Sequence, residues 1–201
     1  MQFYGLYEAL QCLLNFVAKV VFRKCICYDR VMCILKIFFG ICLLSLISFT
    51  VACFVSPQFF LKSTYAFVKS EFPDLPEFSN RSLHALTHDE RADYIVVDVR
   101  TPQERNVSTI VGAIDNQYFE RHAASYQNKK VIVYCTIGYR SGYYAAELRH
   151  KGFDAYNLSE GILGWAHVDG LLVDPQGQAT TKVHVFSRPW NFALKHHIAV
   201  F

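Results

Sequence analysis

The sequence predicts an α/β domain, a parallel sheet with helices on both faces, preceded by a transmembrane helix. Two observations predict the sheet. Short apolar runs, Tyr94-Ile-Val-Val-Asp-Val99, Lys130-Val-Ile-Val-Tyr134 and Phe153 to Leu158, alternate with helical stretches. Continuous apolar runs suit strands buried on both faces, and strand–helix alternation implies parallel order. A third observation predicts the membrane helix. Ile37 to Val55 carries no charged residue, and at about 1.5 Å per residue it rises about 28 Å, close to a hydrocarbon core of about 30 Å.

In chain order, residues 1–36 form a basic and apolar N-terminal segment. Within it Ala9 to Phe22 is apolar but interrupted by Gln11, Asn15 and Lys19, which suits an amphipathic helix lying in the membrane interface. Residues 37–55 are the transmembrane helix. Lys19, Arg23, Lys24, Arg30 and Lys36 precede it. Lys62 and Lys69 follow, diluted by Glu71 and Asp74. The bias of Lys and Arg places the N-terminus in the cytoplasm and the following domain outside it, in the periplasm if the cell is bacterial. Two alternatives stand beside this single-pass reading. Insertion of Ala9 to Phe22 would make a hairpin and a cytoplasmic domain. A start at Met32 would leave a lipoprotein-type signal ending Thr50-Val-Ala-Cys53.

Residues 56–81 read as a juxtamembrane linker with a helical piece around Phe60 to Ser70. The domain proper is expected over 82–168. Ser82 to Glu90 suits a short helix and Tyr94 to Val99 a central strand. Pro102 opens a helical turn, since proline favours the first helical position. Gly112 to Ile114 is a second short strand, Tyr118 to Tyr126 a helix, and Lys130 to Tyr134 the strand that leads to Cys135. A helix over Ser141 to His150, a strand over Phe153 to Leu158 and a helix beginning at Gly161 complete it. Residues 169–201 form a C-terminal extension, with a turn at Asp174 to Gly177 and a strand over Lys182 to Phe186.

The net charge of +3 and the lack of a basic stripe interleaved with aromatics set nucleic acid aside as a partner. Cys12, Cys25, Cys27, Cys33, Cys42 and Cys53 all precede the domain, and Cys135 stands alone after them. A domain with one cysteine has no internal disulfide framework. Cys25-Ile-Cys27 has no second pair or histidine cluster at metal-binding spacing, so no metal site is expected. Asn80, Asn106 and Asn157 each begin a formal glycosylation sequon.

The chemistry concentrates in Val131-Ile-Val-Tyr-Cys135-Thr-Ile-Gly-Tyr-Arg140-Ser-Gly. A buried strand ends in a cysteine, a Cys-x4-Arg loop follows, and a helix starts near Ser141. This geometry puts a thiol at the floor of a ring of backbone N–H groups, beside a helix N-terminus and a guanidinium. Such a ring is an anion-binding nest and favours a thiolate. Gly138 lets the backbone turn so that its N–H groups face inward. Active sites of parallel sheets lie beyond the carboxyl ends of strands, where Cys135 falls.

The order of motifs is that of a known family. Asp98-Val-Arg100-Thr-Pro-x-Glu104, Gly112-Ala-Ile114, Cys135-x4-Arg140-Ser141 and Glu160-Gly-Ile-x-Gly-Trp165 resemble a single rhodanese domain, over roughly Ser82 to Val168. The resemblance implies the rhodanese-like fold and sulfurtransferase activity through a cysteine persulfide. It places the nucleophile at Cys135 and the substrate loop at Thr136, Ile137, Gly138, Tyr139 and Arg140, with no cofactor. Ser108-Thr-Ile-Val-Gly-Ala113 stands where many members carry Gly-His-Ile-Pro-Gly-Ala. Related phosphatases use a Cys-x5-Arg loop for a tetrahedral phosphate, and the shorter ring here suits one sulfur atom.

Arg140 is expected to hold the donor's anionic end or to fix the loop by hydrogen bonds. Asp98, Arg100 and Ser141 are expected to support the loop. The expected partners are the bilayer, a small sulfur-donor anion, and an external thiol, cyanide or protein as acceptor, because the domain has no second cysteine. The competing expectation is a catalytically weak module that binds a membrane partner protein.

Overall fold

The computed structural model describes Gln11, Asn15, Lys19 and residues 30–201, in two compact units, Met1–Cys53 and Phe54–Phe201. The interfacial helix expected over Ala9 to Phe22, and Cys12, Cys25 and Cys27, lie wholly or largely outside the described residues. Helix α1 spans Arg30–Val55, and within it Met32–Val55 is long and apolar enough to cross a membrane. Its apolar side chains face outward all round, Ile34, Phe38, Phe39 and Ile41 among them. A helix apolar on every face has no solvated side to offer water.

The second unit begins with α2 (Pro57–Ser70), started by Ser56, whose hydroxyl accepts from the Phe59 N–H at 3.2 Å, and by Pro57 in the first turn. Next come β1 (Glu77–Phe78), α3 (Asn80–Ala85), α4 (His88–Arg91), β2 (Tyr94–Asp98) and α5 (Pro102–Arg105). Then follow β3 (Thr109–Ile110), β4 (Ile114–Asp115), α6 (Asn116–Arg121), a 3-10 turn at Ala123–Tyr126 and β5 (Lys130–Tyr134). The chain continues through α7 (Tyr139–His150), β6 (Asp154–Leu158), α8 (Gly161–His167), β7 (Leu172–Val173) and β8 (Lys182–His184). A 3-10 turn at Arg188–Ala193 and β9 (Ile198–Val200) close it.

The main sheet has the order β1-β6-β5-β2-β4, all parallel. Along β5 the period of two sends Val131 and Val133 to one face and Ile132 and Tyr134 to the other. The first face packs under Phe119 of α6 and Ala145 and Leu148 of α7. The second packs under Leu61 and Tyr65 of α2, Leu83 of α3 and Ile162, Leu163 and Trp165 of α8. This is the α/β parallel sheet with helices on both faces that the sequence predicts.

Three expectations are corrected. The segment expected as a linker over 56–81 belongs to the domain. Leu61, Tyr65 and Val68 recur at helical spacing, and Leu61 is fully buried in the second face. Its β1 pairs with β6 at the sheet edge. The segment expected as an extension over 169–201 is built in as well. β7 pairs antiparallel with β3, β8 pairs with β9, and Leu172, Val183, Val185 and Ala193 fill the same core. A parallel sheet needs both faces covered, and here both ends of the unit supply part of that cover. The single helix expected over Ser82 to Glu90 is two, because Thr87 and Glu90 form a reciprocal cap that starts a new helix.

Candidate active site

Cys135 follows the last residue of β5 and is 1% exposed. Its Sγ accepts from the Gly138 N–H at 3.2 Å, and the Ser141 hydroxyl oxygen lies 3.5 Å from it. Gly138 caps α7 with a φ of 104°, a left-handed conformation that suits glycine, and no side chain caps that helix end. The first N–H groups of α7 therefore keep their donor capacity toward the loop. A side chain at Gly138 would also meet the Tyr65 ring.

The loop is held from three sides. From behind, the N-terminus of α8 donates to it: Ile162 N–H to the Cys135 carbonyl at 3.0 Å and Leu163 N–H to the Thr136 carbonyl at 3.3 Å. Gly161 permits this approach, since its φ is 54° and a Cβ would strike the Cys135 carbonyl. From the neighbouring strand, Asn157 donates to the Gly138 carbonyl at 2.9 Å and accepts from the Ser141 hydroxyl at 2.7 Å. From α5, the Glu104 carboxylate accepts from Arg140 Nη1 at 2.8 Å, Arg140 Nη2 at 2.6 Å and the Thr136 hydroxyl at 3.0 Å. It also accepts from the Thr101 N–H at 2.9 Å.

Those bonds set the electrostatics. Burial pushes the Glu104 carboxyl up, but Arg140 and the Thr101 cap outweigh it and hold the group at about 2. The Glu104 carboxylate raises Arg140 above its usual value against the opposing effect of burial, and the Cys135 side chain adds to the rise.

The sequence places each expected residue, and the structure sorts them. Ile137 turns its side chain into the core, and Thr136 spends its hydroxyl on Glu104 and Arg140, while the loop N–H that reaches the sulfur is that of Gly138. Arg140 makes the loop-fixing hydrogen bonds. Tyr139 stays exposed and stacks edge-on with Tyr143 and Phe72. Asp98 and Arg100 sit behind the loop rather than in it, as a fully buried pair at 2.7 Å. The Tyr134 hydroxyl donates to Asp98 at 2.6 Å and accepts from the Ile110 N–H at 3.1 Å. Arg100 also donates to the Ser108 carbonyl at 2.7 Å.

Sequence reasoning missed Glu104, Asn157 and Tyr65. Glu104 carried a local signal, the Thr101-Pro-x-Glu104 capping box. Asn157 carried none, and it was read as the start of a glycosylation sequon. Asn157 and Asn80 are both buried and hydrogen-bonded, which leaves Asn106 as the exposed sequon asparagine. Two surface hollows, one lined by Lys62, Arg81 and His167 and one by Leu172 and His196, include no residue of the thiol loop.

Comparison with known proteins bears on the same region. Residues 79–167 match the family model of the Rhodanese-like domain. The tRNA sulfurtransferase of Desulfurococcus amylolyticus is 39% identical over 70 residues, covering 35% of this chain and 14% of that protein. The tRNA uridine(34) hydroxylase of Acaryochloris marina is 34% identical over 83 residues, covering 36% of this chain and 27% of that protein. The chain thus spans about a quarter or less of these relatives' length. Among solved structures, thiosulfate sulfurtransferase from Pseudomonas aeruginosa aligns with a TM-score of 0.46 at 24% identity, covering 59% of this chain and 23% of that one. A rhodanese-like domain from Anabaena sp. aligns with a TM-score of 0.44 at 22% identity, covering 61% and 96%.

Proposed function

Residues 79–167 form a rhodanese-like domain, and from that premise we propose that the chain is a membrane-anchored sulfurtransferase working through a persulfide on Cys135. One observation carries the reading. The Cys135 sulfur lies within a Cys-x4-Arg loop whose helix end has no side-chain cap, and it already accepts from the Gly138 N–H, with the Ser141 hydroxyl oxygen 3.5 Å away. A ring of donors around one sulfur stabilises negative charge on that sulfur or on one attached to it.

The step is a displacement at sulfur. The Cys135 thiolate attacks the outer sulfur of a donor, a new S–S bond forms, and the donor's own S–S bond breaks. From thiosulfate the leaving group is sulfite, which departs with the bonding electron pair. The terminal sulfur of the persulfide then sits in the nest. An external thiolate, cyanide or a protein acceptor attacks that sulfur and Cys135 leaves as thiolate. Gly138 shapes the ring, Asn157 and Glu104 keep it rigid, and the Asp98–Arg100–Tyr134 network fixes the strand end from which Cys135 projects.

In this reading α1 crosses the bilayer, and the excess of Lys and Arg before it leaves the domain extracytoplasmic. The test is the intact mass of the full chain in detergent, fully reduced and then treated with thiosulfate or polysulfide, with Cys135→Ser alongside. A reducible gain of one sulfur, absent in the variant, is the expected result. No gain from either donor in a folded protein refutes the persulfide and favours a module that only docks on a partner.

A further inference from the structure

Phe186 lies beyond the family match, in the segment after β8, and three features single it out. It is a non-glycine residue with a φ of 64°, a conformation side chains rarely adopt. Its ring is 63% exposed although the neighbouring Val185 is fully buried. Its position is nonetheless well tied: Val185 N–H donates to the Val200 carbonyl at 3.0 Å and Phe186 N–H to His184 Nδ1 at 3.1 Å. The backbone thus holds an exposed phenyl ring in a strained place. What the ring meets there is Arg140, whose Cζ stands 5.4 Å from its centroid.

That contact covers one face of the guanidinium, while the Arg140 side chain as a whole keeps 32% of its surface exposed. One edge of Arg140 is taken by Glu104, at 2.8 and 2.6 Å, and by the Thr136 hydroxyl at 3.2 Å. Its face is taken by Phe186. The loop from Thr136 to Arg140 has no other charged side chain. A sulfonate group arriving at the loop would compete with Glu104 for one edge of the loop's cation and with the ring for one face.

We propose that Phe186, held over Arg140, biases the choice of sulfur donor, shielding one face of the guanidinium from sulfonate-bearing donors such as thiosulfate and turning the site toward organic hydropersulfides, R–S–SH, with an apolar R group. The proposal rests on the persulfide reading of Cys135. The step balances without a further reactant. The Cys135 thiolate attacks the terminal sulfur, the bond between the two donor sulfurs breaks, R–S⁻ leaves, and the proton stays on the new persulfide or passes to water. The leaving thiolate carries one negative charge, which water or the released proton meets, where sulfite carries two, and its apolar R group meets the exposed Phe186 ring. Phe186 acts on the cation through its contact with Arg140 and on the donor through the R group it meets.

The test compares thiosulfate with benzyl hydropersulfide as donors to the full chain in detergent, reading sulfur gain on Cys135 and resolving kcat and KM. Phe186→Gly is the main variant, because glycine accepts the left-handed backbone and removes the ring. Phe186→Tyr keeps the ring. Wild type favours the hydropersulfide. Phe186→Gly is expected to raise kcat/KM for thiosulfate about two- to fivefold through a lower KM, the scale of a solvent-exposed cation–π contact. The hydropersulfide value does not rise, and Phe186→Tyr keeps the wild-type donor ratio. An unchanged thiosulfate KM in Phe186→Gly, or wild-type preference for thiosulfate, overturns the proposal while leaving the persulfide intact. Failure of both donors to load Cys135 in every variant overturns the persulfide reading and this proposal with it.

Discussion

Glu104 and Arg140 close on each other through two parallel hydrogen bonds of 2.8 and 2.6 Å, joining the helix after β2 to the end of the thiol loop. The Glu104 side chain is 2% exposed, while the Arg140 side chain keeps 32% of its surface. A planar fork on a planar carboxylate fixes direction as well as distance. The same carboxylate caps its own helix through the Thr101 N–H. One side chain therefore couples the start of α5 to the geometry around Cys135.

This coupling makes stability depend on acid. Glu104 is held at about 2 in the folded protein, against about 4.3 for an unperturbed glutamate. A depressed carboxyl binds its proton less readily when folded, so its contribution is fully present above about pH 4.5 and is lost as pH falls through about 2. Because Arg140 is partly solvated, the contribution is about 1–3 kcal/mol. Urea unfolding of wild type and Glu104→Gln between pH 6 and pH 2 checks this. The gap between the two should narrow toward low pH, and a constant gap contradicts the assignment.

Asn157 makes a second prediction. It donates to the Gly138 carbonyl and accepts from the hydroxyl of Ser141, whose oxygen lies 3.5 Å from the Cys135 sulfur. Asn157→Ala leaves two buried partners without that bond, at a cost of about 1–3 kcal/mol. It also loosens the ring around the sulfur, so loading of Cys135 should slow more than the stability loss alone accounts for. Denaturant midpoints and loading rates measured on the same preparation separate the two effects. Wild-type loading in a destabilised variant would show that Asn157 serves the fold alone.

A third prediction concerns α2. Leu61 is wholly buried against the sheet face that also takes in α8 and the last strands. Leu61→Ala should destabilise the domain by about 2–5 kcal/mol, the range for leucine truncation in a packed core. Phe67, exposed on the same helix, is the control, and Phe67→Ser should change stability by less than about 0.5 kcal/mol. Equal small effects at both positions would mean that α2 is a tether and not part of the core.

Part of this molecule was legible residue by residue. The strand Lys130 to Tyr134 was expected with the bounds it has, because an apolar run ending at a polar turn leaves little choice of boundary. Pro102 opened its helical turn as expected, since proline fixes φ and lacks the donor that a first turn does not need. The turn from Cys135 to Arg140 into the next helix was legible because its shape depends on local backbone, a glycine and a helix start.

Other parts had no local signature. Asn157 lies in a strand whose pattern reads only as buried, and its partners come from another strand end and another helix. Leu61, Tyr65 and Val68 form a helical stripe, but a stripe does not say which surface it covers. Phe186 in the tail carries no mark of its contact with Arg140. The sequence by itself determined the α/β class, the apolar helix and the position of the thiol, because periodicity, length and loop size act within a few residues. The tertiary structure alone decided that both ends of the unit close the sheet, that Glu104 occupies the edge of Arg140, and that Phe186 covers its face. Those are contacts between residues far apart in the chain, and only packing brings them together.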